Sequence, residues 1–236
     1  MVGGPTELTR QVQNSGQNSA LAFDGAGDYV ATGTAQFPDG RSAQTLSAWF
    51  LVESVAGQQA ILAARKDFDS GIELELRDGT LGAYRVFAPD RALVTAKTAL
   101  LPGTWHFVAF TFDATTDVLY LDGERVGTST TAPDKRTPTS FWLGTIDGTR
   151  DLLHGRLDEV HVFEVARTQK QIAAEYAGTF GLNEAGLVLA LSFDESSGSV
   201  VYDRSPYEND GLLGEGVPEH MPTRVPSEAP RLTPAP

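Results

Sequence analysis

The chain has 236 residues, of which 41% are hydrophobic and 21% are charged, and it contains no cysteine. This length fits one large all-β domain or two small ones, and the missing cysteine excludes disulfides, thiolate-bound metals and cysteine nucleophiles. The formal net charge of −13 argues against nucleic acid or an anionic membrane surface as a partner, whereas it suits a hard cation such as calcium. No apolar run approaches the roughly 20 residues of a membrane span.

Residues 1–19 are polar and show no hydrophobic period, so we predict an N-terminal arm there. The arm has neither an apolar core nor a cleavage signature, so it does not resemble a signal peptide. The sequence leaves the location of the protein open. An extracellular or cell-surface location is favoured if the chain is a domain excised from a longer protein.

From residue 20 to about residue 163 the pattern predicts strand after strand. The segment QTLSAWFLV, residues 44–52, is apolar on both of its alternating faces, which is typical of a central strand between two layers. Asp78–Gly79 and Asp122–Gly123 separate alternating runs and predict hairpin turns. About a dozen such strands, spaced roughly 8–12 residues apart, are typical of an antiparallel β-sandwich.

One short helix is predicted near residues 168–177. Thr168 is a suitable N-cap, and Gln171 three residues later completes a capping box. Gly178 is suited to the C-terminal end of the helix. Ile172 and Tyr176 are four residues apart, so we expect them to form the buried stripe.

After the helix, the segment GLVLALSFDESSGSVVYDRSPYENDGLLGEG again has the pattern of strands. The last twenty residues, 217–236, hold six prolines. Proline cannot donate a hydrogen bond to a ladder and breaks a helix. We therefore expect residues 215–236 to be an extended tail or linker.

Six phrases together resemble the laminin-G-like jelly-roll domains of the concanavalin A-like lectin/glucanase superfamily. In order they are FDGAGDYV, TLSAWF, GTWHFVAFTFD, LYLDGERVG, FWLGTIDG and GRLDEVHVFEVARTQKQIAAEY, and they span roughly residues 20–178. The resemblance implies a two-sheet antiparallel jelly-roll sandwich, often with a calcium ion at its rim. It leaves the function open, because the fold hosts sugar binders, protein binders, glycosidases and spacers.

The order of the phrases is rotated relative to the family. A leading phrase of family members resembles residues 186–214, which here come last. Residues 187–203 could close the same sandwich, begin a next repeat, or complete a neighbouring copy by strand exchange. Of these three alternatives we favour self-closure, which gives one jelly-roll domain over residues 20–214.

The resemblance also implies a structural calcium site. Its ligands would be Asp24 or Asp28, in the turn FDGAGDYV, together with Asp158 in GRLDEVHVF. The alternative is that Asp24 caps its own turn while Asp158 accepts a hydrogen bond from a neighbouring strand.

The segment GIELELRDG places Glu73 and Glu75 on one face of a strand, roughly 6.5–7 Å apart. Such a spacing is close to that of glycosidase carboxylates. In the family's hydrolases, however, a third acidic residue follows, and here Arg77 holds that position. We therefore predict no catalytic residues and interpret this face as solvated, with the intervening apolar residues turned inward.

A ligand site is suggested by aromatic and basic residues near two loops. They are Phe68, Tyr84, Arg85, Phe87 and Arg91, although an ordinary surface would explain them as well. We predict a non-catalytic module that binds glycan or protein through loops or one sheet face. The alternative is a structural or assembly subunit of a larger fibre or particle, and a glycoside hydrolase ranks third.

Overall fold

The computed structural model describes residues 17–67, 70–85, 92–130 and 137–230. In chain order the strands are β1 (Ser19–Asp24), β2 (Val30–Thr32), β3 (Gln44–Val52), β4 (Gln58–Asp67), β5 (Ser70–Arg77), β6 (Thr80–Arg85), β7 (Ala92–Thr95), β8 (Trp105–Phe112), β9 (Asp117–Leu121), β10 (Glu124–Ser129), β11 (Ser140–Leu143), β12 (His154–Phe163), β13 (Leu187–Leu191), β14 (Val200–Val201), β15 (Gly211–Leu213) and β16 (Thr223–Pro226). The helices are α1 (Gln169–Tyr176) and two 3-10 turns, Gly214–Gly216 and Pro218–His220. None of these helices is long and apolar enough to cross a membrane.

The strands form two antiparallel sheets that pack face to face. Sheet I has the order β10-β9-β8-β3-β12-β1-β16, with β13 also paired to β12, and sheet II has the order β14-β15-β2-β11-β4-β5-β6-β7. The hydrophobic core lies between the sheets and draws residues from both. The predicted all-β sandwich with one short helix is confirmed.

The two predicted hairpins are present and have the expected turn geometry. Asp78 and Gly79 join β5 to β6 with φ angles of 47° and 79°, and Asp122 and Gly123 join β9 to β10 with φ angles of 51° and 79°. Two consecutive positive φ angles are characteristic of type I′ turns, whose twist matches that of the flanking strands.

The segment that follows the helix contributes to both sheets of this chain. Two strands pair with different parts of the same edge of β12: β1 pairs with residues 154–157, and β13 pairs with residues 160–163. Glu159, with φ of 45°, lies at the irregularity between these halves. β14 pairs with β15 at the edge of sheet II.

Residues 215–226 depart from the predicted tail. β16 pairs with β1 at the edge of sheet I, with Ser19 opposite Pro226 and Ala22 opposite Thr223. Proline is tolerated there because the missing N–H lies on an edge strand, where it breaks no internal ladder. Arg224 also joins the two sheets, since its guanidinium donates to the carbonyls of Gly198 and Val200 beside β14 at 2.6 and 3.1 Å.

The helix α1 covers part of the outer face of sheet I. Its predicted capping box is present between Thr168 and Gln171. Tyr176 stacks on Trp49 of β3 with ring centroids 5.3 Å apart, yet it remains 36% exposed. The predicted buried stripe is thus only half right, because Glu175 is buried in its place.

Glu175 attaches the helix to sheet I through a buried polar network. Its carboxylate accepts a hydrogen bond from Ser47 on β3, lies 3.0 Å from Nδ1 of His161 on β12, and pairs with Nε of Arg167 at 3.2 Å. The side chains of His161, Arg167 and Glu175 are each at most 1% exposed. The helix is therefore anchored on this part of the outer face of sheet I by buried polar contacts as well as by aromatic packing.

Candidate functional site

The outward side of sheet II carries a continuous row of paired residues that crosses seven strands, from β14 to β6. We call it the outer row; its members are Val200, Leu212, Ala31, Trp142, Ala63, Glu73 and Tyr84. Their neighbours along the strands, such as Leu213, Leu143 and Leu74, belong to the core between the sheets. Because side chains alternate along a strand, the outer row points away from that core.

A pair of carboxyl groups lies at the polar end of the outer row. Glu73 and Glu75 are two residues apart on β5 and hydrogen-bond to each other. Nη1 of Arg65 donates to Oε1 of Glu73 at 2.8 Å, and Nε of Arg77 donates to Oε2 of Glu75 at 3.0 Å. The glutamates are only 6% and 1% exposed, so the interpretation of this face as solvated was wrong.

The surroundings of Glu73 raise the pKa of its carboxyl group. Burial, the hydrogen bond to Glu75 and the charge of Glu75 raise the pKa of Glu73 from 4.5 to about 8, although Arg65 acts in the opposite direction. A protonated Glu73 would donate to Glu75, and the two carboxyl groups would avoid direct repulsion.

Arg77 and Tyr84 extend the polar end of the row. The Arg77 guanidinium lies 3.7 Å from the centroid of the Tyr84 ring, which is a favourable cation–π distance. The Tyr84 ring lies directly over Gly82, where an added Cβ would come within 2.7 Å of it. A glycine at this position therefore allows the ring to lie flat against the sheet.

The loop of residues 144–153 borders the carboxyl pair. It is fixed to β4 by a hydrogen bond from the Ala60 N–H to the Asp151 carbonyl at 2.7 Å. Burial, followed by the nearby charge of Glu75, raises the pKa of the Asp151 carboxyl. Arg150 in the same loop is 53% exposed and pairs with Asp147 at 2.6 Å, so it offers a charged group to the solvent.

Trp142 supplies an aromatic surface beside this polar patch. It is partly exposed, and its inner side packs on Ala60, Ala63 and Ile146. Tyr29 contacts it edge to face, with ring centroids 5.4 Å apart. The indole is thus supported from below and from one side while part of it faces the solvent.

The residues predicted to bind a ligand are distributed unevenly. Tyr84 belongs to the outer row, but it is only 6% exposed. Phe68, Phe87 and Arg91 lie outside the described residues, as does the side chain of Arg85 at the end of β6. The sequence analysis did not select Trp142, although its place between the inward-facing Phe141 and Leu143 was a usable signal.

Two of the three predicted calcium ligands lie close together. The backbone N–H of Asp24 donates to Oδ2 of Asp28 at 3.0 Å, and Oδ1 of Asp24 accepts from the N–H of Ala26 at 2.7 Å, so Asp24 also caps its turn. Burial, together with the charge of Asp24, raises the pKa of Asp28. Both residues line a cleft of about 440 Å³ that also holds Glu53 and Glu219.

Asp158 lies elsewhere. Asp24 is opposite His154 of β12, and Asp158 is four residues farther along that strand, about 13 Å away. Its Oδ2 accepts from Ser227 at 2.5 Å, and burial followed by the charge of Glu159 raises its pKa well above the ordinary value. Within the described ranges, no group of three or more histidine and acidic side chains could hold a metal ion.

Several solved structures share this fold. A candidate carbohydrate-binding protein from Bacteroides ovatus is 22% identical, with a TM-score of 0.71 over 92% of this chain and 62% of that one. The SAP-like pentraxin of Limulus polyphemus is 14% identical, with a TM-score of 0.58 over 84% of this chain and 95% of that one.

Domain 4 of the extracellular arabinanase AbnA of Geobacillus stearothermophilus, solved with arabinotriose, is 21% identical, with a TM-score of 0.58 over 67% of this chain and 76% of that one. No curated protein matches the sequence. The Laminin_G_3 family profile, described as the concanavalin A-like lectin/glucanases superfamily, matches residues 24–173. The chain therefore belongs to the concanavalin A-like lectin/glucanases superfamily.

Proposed function

We propose that this protein is a non-catalytic glycan-binding module and that the glycan lies on the outward side of sheet II. The observation that carries the proposal is the partly exposed indole of Trp142 in the same outer row as Glu73 and Tyr84. A sugar ring offers an apolar face for stacking and a rim of hydroxyls for polar partners. An aromatic platform beside convergent hydrogen-bonding groups matches both needs.

Two of the structures with the same fold support this proposal. The Bacteroides ovatus protein is described as a candidate carbohydrate binder, and AbnA domain 4 was solved with arabinotriose. The chain spans 62% of the length of the former, so the proposal concerns a module and not the activity of a whole protein.

The carboxyl pair favours binding over hydrolysis. The two acidic groups of a retaining glycosidase are about 5–5.5 Å apart, and those of an inverting enzyme are farther apart, because a sugar or a water molecule lies between them. Glu73 and Glu75 instead hydrogen-bond directly to each other and are buried. If the parent protein hydrolysed a polysaccharide and the Glu73→Gln variant did not, this interpretation would be contradicted.

The test is a glycan array followed by titration calorimetry with the best neutral oligosaccharide. We expect Trp142→Ala to weaken binding at least tenfold, the usual effect of removing a central aromatic contact. The matched control is Trp105→Ala, since Trp105 is also partly buried but lies on β8 of sheet I. Equal losses in both variants would contradict the site, and silence across the array combined with self-association would support an assembly role.

We also propose that calcium binds beside Asp24 and Asp28 and stabilises that loop. Calcium prefers carboxylate and carbonyl oxygens and takes roughly six to eight of them, so backbone carbonyls and water would complete the set. Thermal unfolding in calcium, in magnesium and in EDTA tests the proposal. We expect calcium, but not magnesium, to raise the Tm of the parent and to have no such effect on Asp28→Asn. The control Asp113→Asn, a change in the exposed β8–β9 turn, should keep the rise. An unchanged Tm of the parent in calcium would refute the proposal.

A further inference from the structure

The outer row continues beyond Trp142 across three more strands of sheet II. Ala31 on β2, Leu212 on β15 and Val200 on β14 follow in register. Leu212 is 36% exposed, and Ala31 and Val200 are partly exposed. We call these three residues together with Trp142 the apolar strip. Its length from Trp142 to Val200 is about 14 Å, because neighbouring strands lie about 4.8 Å apart.

The apolar strip contains no charged residue, in contrast to the other half of the outer row. Near its far end lies Arg224, whose guanidinium is used by the carbonyls of Gly198 and Val200 and by Glu195. The whole chain carries a formal net charge of −13. The net charge of the protein would therefore repel an anionic polymer, and the one cation named here is already paired.

The strip crosses several strands and reaches an edge of sheet II. It runs perpendicular to the strands and ends at β14, the edge strand of sheet II. At its other end, it is continuous with the polar patch around Glu73 and Arg77. A molecule lying on it can thus extend over the sheet edge, while its hydroxyls meet polar groups at the opposite end.

We infer that the site takes an internal stretch of an extended, uncharged polysaccharide, with successive sugar rings over the apolar strip and Trp142 as the anchor. This inference rests on the proposed function and deepens it. The strip is several strand spacings long, so a single ring covers only part of it. Each further ring therefore removes additional apolar surface from water until the strip is filled.

The experiment measures affinity against chain length by titration calorimetry. The probes are arabino-, xylo- and gluco-oligosaccharides of one to six units, with sialyllactose and oligogalacturonate as acidic comparisons. We expect affinity for the best neutral series to rise at least tenfold from one unit to four and then level off. The acidic probes should bind more weakly than the neutral series.

Two variants and one control locate the effect. Leu212→Ala should weaken binding of the six-unit probe roughly fivefold, as expected for withdrawing part of a leucine from contact, while leaving the two-unit probe within about twofold. Trp142→Ala should weaken every length, and Leu101→Ala, at a site 75% exposed on a different loop, should change none.

The outcomes separate the inference from the proposed function. Equal affinity for one unit and six units, or a preference for the acidic probes, would overturn the inference while leaving a glycan-binding module. Binding of none of the probes, together with a silent glycan array, would overturn both.

Discussion

Replacing Glu73 by glutamine tests whether this carboxyl group keeps its proton at neutral pH. Glutamine has nearly the same shape as a protonated glutamate and can still donate to Glu75, but it cannot ionise. In the native protein, burial and the contact with Glu75 raise the pKa of Glu73 to about 8. We therefore expect Glu73→Gln to fold normally and to change how stability depends on pH.

The direction of the pH effect follows from the thermodynamic linkage between protonation and unfolding. A group whose pKa is higher in the folded than in the unfolded state contributes stability below the unfolded value, here 4.5, and that contribution is lost as the pH rises to about 8. Each pH unit in this interval is worth about 1.4 kcal/mol, which gives an upper limit of about 5 kcal/mol. Relaxation around Arg65 and Asp151 will reduce this, so we expect the variant to gain about 2–4 kcal/mol relative to the parent between pH 5 and pH 9.

Thermal unfolding of parent and variant across this pH range measures the effect. For a chain of this size, 1 kcal/mol corresponds to about 2–4 °C in Tm. Glu124→Gln, on the exposed edge strand β10, is the control because it removes one carboxyl group without touching the network. A Tm difference between Glu73→Gln and the parent that stays constant from pH 5 to pH 9 would refute the reasoning.

The remaining predictions concern β13 and the buried network. Val162 and Leu189 are directly opposite each other on β12 and β13, and the chain has no cysteine. Changing both residues to cysteine should therefore give an intramolecular disulfide and a monomer on non-reducing gels. A covalent dimer would instead indicate strand exchange. Leu189→Ala should lower the free energy of unfolding in urea by about 2–5 kcal/mol. The exposed Leu101→Ala should lower it by about 0.5 kcal/mol or less, and equal losses in the two variants would contradict the core position of β13. Glu175→Ala removes the buried partner of Arg167 and should lower the free energy of unfolding by about 3–5 kcal/mol. An unchanged midpoint of urea unfolding would contradict the contribution of this network to stability.

Local signals predicted the parts of the fold that depend on near neighbours in sequence. The segment that is apolar on both alternating faces became β3, in which every residue is buried. The Asp-Gly pairs formed the predicted hairpins, and Thr168 capped the predicted helix. In each of these cases the residues that decide the structure lie within a few positions of one another.

The errors arose where distant segments decide the outcome. The proline content of the last residues suggested a tail, but β1, some two hundred positions earlier, offers an edge on which β16 pairs. Alternation placed Glu73 and Glu75 on the outward side of β5 correctly, but could not show that they would be buried. The loop holding Asp151, which approaches Glu75, comes more than seventy residues later in the chain.

The carboxyl pair Glu73 and Glu75, with its partners Arg65 and Arg77, forms a buried network that lowers the stability of the fold. This loss of stability is itself an argument that the network has a function. A buried ion network contributes little to stability compared with apolar residues of the same volume, and a proton held near neutral pH adds a pH-dependent penalty. Such a network is retained more readily where its groups recognise a ligand than where they only fill space. We therefore expect Glu73→Leu to weaken glycan binding, because leucine removes both the acceptor of the Arg65 hydrogen bond and the donor to Glu75, whereas Glu73→Gln, which keeps both, should gain stability at pH 9 and still bind glycan. A folded Glu73→Leu variant that binds glycan as tightly as the parent would place the network outside the binding site, even if Trp142 remains essential.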